Sequence, residues 1–259
     1  MAVRRVERYD DSGTVAAVAG ALRRPIVVGL DVDGVLAPIV SHASDARLLP
    51  GVLEAVGAVA GLTPVAVVSG RSVEDLGRFG FPDNVEIFGT HGLERRHEAP
   101  VELGQHEQRR FERLARLAAD AASQAGDGAW VEVKPAGVVL HVREAPPETS
   151  AASVAELHRQ AADVTGAHVL PGHGVVELLA RATSKATAMA ALHDEIGGGG
   201  GVVFVGDDHT DEEVFAALGD DGCSIRVGPG PTAARFRLAG PPDVLEFLHA
   251  LTRILASAR

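Results

Sequence analysis

The chain has 259 residues, of which 46% are hydrophobic and 23% charged, a composition typical of a soluble globular protein with one large or two modest domains. Its formal net charge of −11, with no basic patch, argues against nucleic acid as a partner. The single cysteine, Cys223, excludes an internal disulfide and favours a reducing compartment, so we expect a cytoplasmic protein.

The N-terminal segment predicts neither secretion nor membrane insertion. The string MAVRRVERYDDSG lacks the apolar core of a signal peptide. The apolar stretch TVAAVAGAL that follows it is far shorter than the ~20 residues needed to span a bilayer. We therefore expect no association with a membrane, and we expect a monomer.

Short apolar runs alternate with helix-like segments near both ends of the chain. The runs are PIVVGL, TPVAVVSG and VEIFG in the first part, and GVVFVGDD and SIRVG in the last part. Runs that are almost continuous in Val and Ile suit parallel strands buried on both faces. Their alternation with segments such as LLPGVLEAVGAVAGL and DEEVFAALGD predicts an α/β fold, a doubly wound parallel sheet with helices on both sides.

The middle of the chain has a different pattern. The string FERLARLAADAA predicts an amphipathic helix, and WVEVK and GVVLHVRE predict a β-hairpin around a turn at residues 135–137. A second helix at about residues 150–165 precedes two more strand candidates, AHVLP and GVVELLA. We therefore predict an α+β cap domain at residues 101–179, inserted into a core formed by residues 1–100 and 180–259.

Polar residues follow four of the predicted strands at their carboxyl ends, the edge at which open α/β sheets bind ligands. They are Asp31 and Asp33, then Ser69 and Gly70, then Thr90 and His91, and finally Asp207 and Asp208. Taken one at a time, these residues and the polar residues that follow them have structural explanations. Asp commonly forms turns, Ser72 would cap a helix, and Thr210 with Glu213 would form a capping box. Together, several carboxylates at one edge predict a site for Mg²⁺.

Lys185 supplies a cation for the same site. It begins the predicted helix SKATAMAALHDEI behind a Thr183 or Ser184 cap, where a positive charge opposes the helix dipole, so we expect another use for it. Mg²⁺, Lys185, a hydroxyl and backbone N–H groups would form a cradle for a phosphoryl group. In that cradle Asp31 could attack phosphorus, while Asp33 could protonate the leaving alcohol and later deprotonate water.

Four strings in this order, LDVDGVL, VVSGRS, SKATAM and VFVGDDHTDEEVF, resemble the motifs of haloacid-dehalogenase-like (HAD) phosphatases. The resemblance implies a Rossmann-like HAD-type core and a hydrolase that forms an aspartyl-phosphate. It implies that the catalytic residues are the nucleophile Asp31, the general acid/base Asp33, and the phosphate-holding Ser69 and Lys185. It also implies a metal site built from Asp31, the backbone carbonyl of Asp33, and Asp207, with Asp208 and Asp211 in support.

A narrower resemblance is to the trehalose-6-phosphate phosphatase family. It rests on DGVLAPI, GTHGLE, VEVKPAGVVLHVRE, and GDDHTDEEVF followed by IRVGPGPTAARFRL. It implies Mg²⁺-dependent hydrolysis of trehalose 6-phosphate, with a cap that closes over the sugar. The substrate-binding residues expected in the core are Gly70, Arg71, His91, Gly92 and Glu94, and those expected in the cap are Glu132, Lys134, His141, Arg143 and Glu177.

Other interpretations stay open. A phosphatase of another disaccharide or pseudo-disaccharide phosphate would share the core motifs, and a sugar phosphomutase also uses paired aspartates and a cap. A non-catalytic sugar-phosphate-binding protein is disfavoured because no motif residue is lost. Lys134 and Arg143 could instead belong to a solvated sheet face, with Glu132 pairing with either.

The chain departs from the family at Val35, where threonine is usual, at Ala186, where glycine is commoner, and before Lys185, where an arginine–proline step is missing.

Overall fold

The computed structural model describes residues 9–40, 42–172 and 174–258. Residues 1–8, which begin the segment predicted not to be a signal peptide, lie outside the described part of the chain. The chain divides into two compact units, one running to Glu98 and resuming at Thr183, the other comprising Ala99–Ala182. These boundaries lie two residues before the predicted start at 101 and three after the predicted end at 179.

Helices and strands alternate in the first unit and are grouped in the second. Before the second unit come α1 (Ser12–Gly20), β1 (Ile26–Leu30), α2 (Val52–Ala60), β2 (Val65–Val68), α3 (Val73–Gly77), β3 (Val85–Gly89) and β4 (Glu94–Arg95). The second unit contains α4 (Gln105–Ala125), β5 (Trp130–Lys134), β6 (Gly137–His141), α5 (Pro147–Ala162), β7 (His168–Gly172) and β8 (Val175–Leu179). The last part contains α6 (Lys185–Glu195), β9 (Gly201–Gly206), α7 (His209–Leu218), β10 (Cys223–Val227), β11 (Phe236–Leu238) and α8 (Pro241–Ser257).

The first unit is built on a seven-stranded sheet in the order β11-β10-β9-β1-β2-β3-β4. All neighbouring strands are parallel except β3 and β4, which pair antiparallel. Alternate residues of β1 enter different apolar clusters, since Val28 packs with residues of α2 and α8 and Val27 with residues of α6 and α7. The prediction of a doubly wound α/β core is confirmed, and the parallel order brings the carboxyl ends of β1, β2, β3 and β9 to one edge.

Several local features differ from the predictions. The first helix of the middle region begins at Gln105, six residues before the predicted Phe111, and α1, β4, β11 and α8 were not predicted. The predicted capping box of Thr210 and Glu213 is wrong. Helix α7 begins at His209, and the box is formed by Asp208 and Asp211. Asp211 therefore lies in the first turn of α7 with its side chain fully buried.

The second unit is an antiparallel sheet in the order β5-β6-β8-β7, accompanied by α4 and α5. The predicted hairpin is confirmed, with Trp130 opposite His141 and Val133 opposite Val138. One set of alternating residues, including Val138 and Leu140, joins Leu114 and Leu157 of the helices in an apolar cluster. The other set carries the polar side chains of this sheet: Glu132, Lys134, His141 and Glu177. None of the helices in the described part of the chain combines the length and apolarity needed to cross a bilayer.

Candidate active site

Asp31 and Lys185 form a buried ion pair at the end of β1. Asp31 is 5% exposed, and its Oδ1 accepts a hydrogen bond from the Val32 N–H at 2.7 Å. Its Oδ2 accepts one from Lys185 Nζ at 2.6 Å. Lys185 is the first residue of α6, which Ser184 caps by accepting the Thr187 N–H at 3.2 Å, as predicted. The ion pair with Asp31 therefore explains why Lys185 stands at the start of α6, where its charge opposes the helix dipole.

Asp211 ties Lys185 to the turn after β9. The side chain of Asp211 is fully buried in the first turn of α7, and its Oδ1 accepts a second hydrogen bond from Lys185 Nζ at 2.8 Å. Its Oδ2 accepts the backbone N–H groups of Asp207 and Asp208, both at 2.9 Å. Burial alone would lower the pKa of Lys185, but the charges of Asp211 and Asp31 raise it above its usual value. Lys185 is therefore a fixed positive charge.

Three carboxylates converge around this lysine. Asp31, Asp207 and Asp211 each offer an oxygen, and these atoms lie within 4.8 Å of one another. Burial raises the pKa of Asp31 to about 7, although the Lys185 charge opposes the shift. Burial, followed by the charges of Asp31 and Asp211, raises the pKa of Asp207 to about 8. One lysine cannot balance three ionised carboxylates, and the all-oxygen donor set fits a hard divalent cation.

The carboxylate of Asp33 has a different partner. Arg71 Nε donates to Asp33 Oδ2 and Arg71 Nη2 donates to Oδ1, both at 2.7 Å. The family resemblance implies that Arg71 binds substrate. It does not predict this pair, because no local pattern links residues 38 positions apart. Val35, one of the three departures from the family pattern, is fully buried in the apolar core, and its hydrocarbon side chain offers no polar contact to Asp33.

The turn after β3 connects the predicted phosphate-binding elements. Thr90 and His91 have φ values of 46° and 56°, which are uncommon for residues other than glycine and are often found at functional sites. The His91 N–H donates to the Ser69 carbonyl at 2.9 Å, and Thr183 Oγ1 donates to the His91 carbonyl at 3.1 Å. The His91 ring lies so close to Gly70 that an added Cβ would be 2.8 Å from its Cε1 and Nε2. This turn therefore packs the Ser69 loop and the start of α6 together.

Two glycines allow the carboxylates to approach the backbone. A Cβ on Gly34, whose φ is +73°, would lie 2.1 Å from Asp207 Oδ2. A Cβ on Gly206 would lie 2.2 Å from Asp211 Cγ. Both contacts are far shorter than van der Waals distance, so any larger residue would displace a carboxylate of the cluster.

The second unit contains its own polar cluster on one face of its sheet. Lys134 Nζ donates to Glu177 Oε1 at 3.0 Å, and each side chain is only 9% exposed, so Lys134 is not part of a solvated face. His141 Nε2 lies 2.9 Å from Glu132 Oε2, so Glu132 pairs with a histidine of the neighbouring strand. The His141 ring also stacks on Trp130, with centroids 3.8 Å apart.

The side chains of the remaining predicted residues make other contacts. Asp208 Oδ1 accepts the His209 N–H and lies 2.7 Å from His209 Nδ1, and these bonds lower the pKa of Asp208 to about 2 although burial acts in the opposite direction. The Asp208 side chain thus caps α7 and is not one of the three clustered carboxylates. Glu94 accepts a hydrogen bond from Thr90 Oγ1, and Arg143 is exposed beyond the end of β6. Gly92 lies against α6, where an added Cβ would be 2.6 Å from the Ala188 side chain.

Comparison with known proteins gives concordant results. A family model described as Trehalose-phosphatase matches residues 29–242. The trehalose-6-phosphate phosphatase of Escherichia coli is 32% identical over 238 residues, which cover 88% of this chain and 87% of that protein. The trehalose-phosphate phosphatase of Mycobacterium tuberculosis is 33% identical over a 274-residue alignment, covering 98% of this chain and 68% of that protein.

Solved structures show the same likeness of fold. The C-terminal domain of Candida albicans trehalose-6-phosphate phosphatase superposes with a TM-score of 0.80 at 20% identity, covering 95% of this chain and 97% of that one. A trehalose-6-phosphate phosphatase related protein superposes with a TM-score of 0.73 at 23% identity, covering 90% of this chain and 100% of that one.

Proposed function

The chain belongs to the trehalose-phosphatase family, and from that membership we propose that it hydrolyses trehalose 6-phosphate to trehalose and inorganic phosphate. The observation that carries the proposal is the buried Lys185, which bridges Asp31 and Asp211 beside Asp207 at the carboxyl edge of the sheet. A cation fixed between a nucleophilic carboxylate and a metal-binding one suits an anionic phosphoryl group.

Two steps account for the reaction. A carboxylate oxygen of Asp31 attacks phosphorus, the bond between phosphorus and the sugar oxygen breaks, and Asp33 gives its proton to that oxygen. Asp33 then takes a proton from water as the water oxygen attacks phosphorus. The bond between Asp31 and phosphorus breaks, which releases phosphate and restores both residues. Lys185, Ser69 and the N–H of Gly70 would hold the phosphoryl oxygens throughout.

We propose Mg²⁺ as the cofactor, held by Asp31, Asp207 and the backbone carbonyl of Asp33, with Asp211 beside it. When bound, the ion would neutralise the charge that otherwise keeps a carboxylate and a phosphate apart. The all-oxygen donor set and the raised pKa values of Asp31 and Asp207 support this choice.

Sugar recognition is proposed for the polar face of the inserted sheet. The pairs Lys134–Glu177 and Glu132–His141 hold four charged or polar side chains in place. Side chains that are already ordered lose little conformational entropy when they form hydrogen bonds with sugar hydroxyl groups. The same role is proposed for Arg143 in that unit, and for His91, Gly92 and Glu94 in the core. We also propose that the protein is a cytoplasmic monomer, with the reducing compartment expected from its single cysteine.

Phosphate release from a panel of sugar phosphates, with Mg²⁺ and with EDTA, tests the proposal. Trehalose 6-phosphate should be the preferred substrate, and EDTA should abolish its turnover. Preference for another disaccharide phosphate would overturn the substrate, and positional isomerisation of a sugar phosphate without phosphate release would identify a phosphomutase. Binding without turnover would identify a sugar-phosphate-binding protein.

A further inference from the structure

We infer that Arg71 is a positioning residue for Asp33, and does not itself contact the phosphate or the sugar. The inference rests on the proposed function, because it concerns the carboxylate that would move the proton. It assigns to Arg71 a role different from the substrate binding that the sequence suggested.

The contact between the two side chains is bidentate. Arg71 Nε and Nη2 donate to the two different oxygens of Asp33, each at 2.7 Å, and a fork of this kind fixes both the position and the plane of a carboxylate. The third guanidinium nitrogen, Nη1, donates to the Ala43 carbonyl at 2.9 Å. With all three nitrogens engaged inside the first unit, the guanidinium already has partners that a substrate would have to displace.

Arg71 is itself held in place on several sides. Its side chain is 8% exposed, and the guanidinium lies over the Phe79 ring, 5.5 Å from the ring centroid. Its backbone N–H donates to Ser69 Oγ at 3.3 Å, and its carbonyl accepts the Thr90 N–H at 2.8 Å. The loop that presents Ser69 therefore also fixes the arginine that holds Asp33.

Asp33 depends on this support. Its side chain is 38% exposed and lies in the turn closed by the hydrogen bond from the Gly34 N–H to the Ala37 carbonyl at 2.8 Å. Within the described part of the chain, the hydrogen-bond donors to its carboxylate are both on Arg71. A partly exposed carboxylate without this fork would sample several rotamers and lose the direction of its lone pairs.

The pairing with Arg71 leaves Asp33 able to donate and accept a proton. Each carboxylate oxygen has two lone pairs, and Arg71 uses one on each oxygen, so one on each remains for the leaving oxygen or for water. General acid/base catalysis needs that atom within about 2.6–3.2 Å of its target. By fixing the plane of the carboxylate, Arg71 sets where those remaining lone pairs point.

A double-mutant cycle tests the inference. The variants are Arg71→Met, Asp33→Asn, the double variant, and Arg71→Lys, with kcat and KM measured for trehalose 6-phosphate, and with enzyme in excess where turnover is slow. Misplacement of a reacting group by about 1 Å can cost roughly 100-fold, so Arg71→Met should lower kcat by roughly 10- to 100-fold with KM changed less than about threefold. In the Asp33→Asn background the same change should cost less than about threefold. Arg71→Lys should recover little, because an ammonium cannot hold both oxygens at once.

Controls make the outcomes distinct. Arg95→Met removes an arginine of the same unit that pairs with Glu86 and Glu195 and stacks on Phe88, and it should leave kcat and KM unchanged. Thermal unfolding shows whether each variant is folded, and if Arg71→Met is not, the cycle is read with Arg71→Lys.

Two results would overturn the inference. One is a KM increase of about tenfold or more with kcat unchanged in Arg71→Met, which would assign Arg71 to substrate binding. The other is a full loss of rate from Arg71→Met in the Asp33→Asn background. If the wild-type protein hydrolyses aryl phosphates but not trehalose 6-phosphate, the substrate proposal fails, and the same cycle on the aryl phosphate still tests Arg71.

Discussion

Replacing Lys185 by methionine gives a sharp test of the site. Lys185 is 2% exposed, and its Nζ contacts Asp31 Oδ2 at 2.6 Å and Asp211 Oδ1 at 2.8 Å. Methionine preserves most of the volume and removes the charge, so two buried carboxylates would face an apolar group and each other. Breaking a buried ion pair in this way costs about 3–5 kcal/mol.

The structure favours the lower end of this range of destabilisation, about 3–5 kcal/mol. The pKa of Asp31 is raised to about 7, so near neutral pH part of the repulsion is relieved by protonation, and the lower end of the range, about 3 kcal/mol, is expected. A domain of this size loses roughly 2–4 °C of Tm per kcal/mol, so Tm should fall by roughly 6–12 °C in EDTA. Saturating Mg²⁺ should reduce the loss of Tm, because an ion bound at the proposed site would place positive charge among the same carboxylates.

Thermal unfolding followed by circular dichroism, in EDTA and in Mg²⁺, measures both effects. Lys134→Met is the matched control, because Lys134 is the other lysine of the sequence and is also buried in an ion pair, with Glu177, but lies in the inserted unit. Its effect on Tm should not depend on Mg²⁺. An unchanged Tm for Lys185→Met in EDTA, or an equal response of the two variants to Mg²⁺, would refute the reasoning.

Four further outcomes are expected. Asp31→Asn keeps the shape of the side chain but replaces the carboxylate proposed as the nucleophile by a neutral amide, so phosphate release should fall by at least about 1000-fold with an unchanged circular dichroism spectrum. Wild-type turnover would exclude Asp31 as the nucleophile. Gly34→Ala should weaken Mg²⁺ binding measured by calorimetry, because the new carbon would lie 2.1 Å from Asp207 Oδ2, whereas Gly77→Ala, with no atom within 4 Å, should not. In EDTA the free energy of unfolding should fall as pH rises from about 4 to 8. The reason is that the raised pKa values of Asp31 and Asp207 make the folded state bind more protons than the unfolded state in this interval. A free energy of unfolding that is constant or rises across the interval would contradict the raised pKa values of these two residues. Lys134→Ala should raise KM for trehalose 6-phosphate by roughly tenfold but leave KM for a small aryl phosphate unchanged, and equal effects on both substrates would remove Lys134 from sugar recognition.

Much of the fold follows from short-range patterns in the sequence. Strands buried on both faces read as continuous apolar runs, which is why β1, β2, β3, β9 and β10 could be predicted. The caps at Ser72 and Ser184 are equally local signals, and both are confirmed, since each serine Oγ accepts a hydrogen bond from the backbone N–H of the third residue after it. Helix α8 was missed although Val244, Phe247, Leu248 and Leu251 have helical spacing, so the signal for it was present.

What the sequence by itself determined is which residue types stand at the ends of the strands, and therefore the class of chemistry. Only the tertiary structure decided how they pair. Lys185 meets Asp31 across 154 positions, and Arg71 meets Asp33 across 38. The start of α7 at His209 turns Asp211 inward and leaves Asp208 as a cap, although both are aspartates of one short motif. Propensity and periodicity act over a few residues, whereas these pairings depend on the order of strands in the sheet and on where each helix begins.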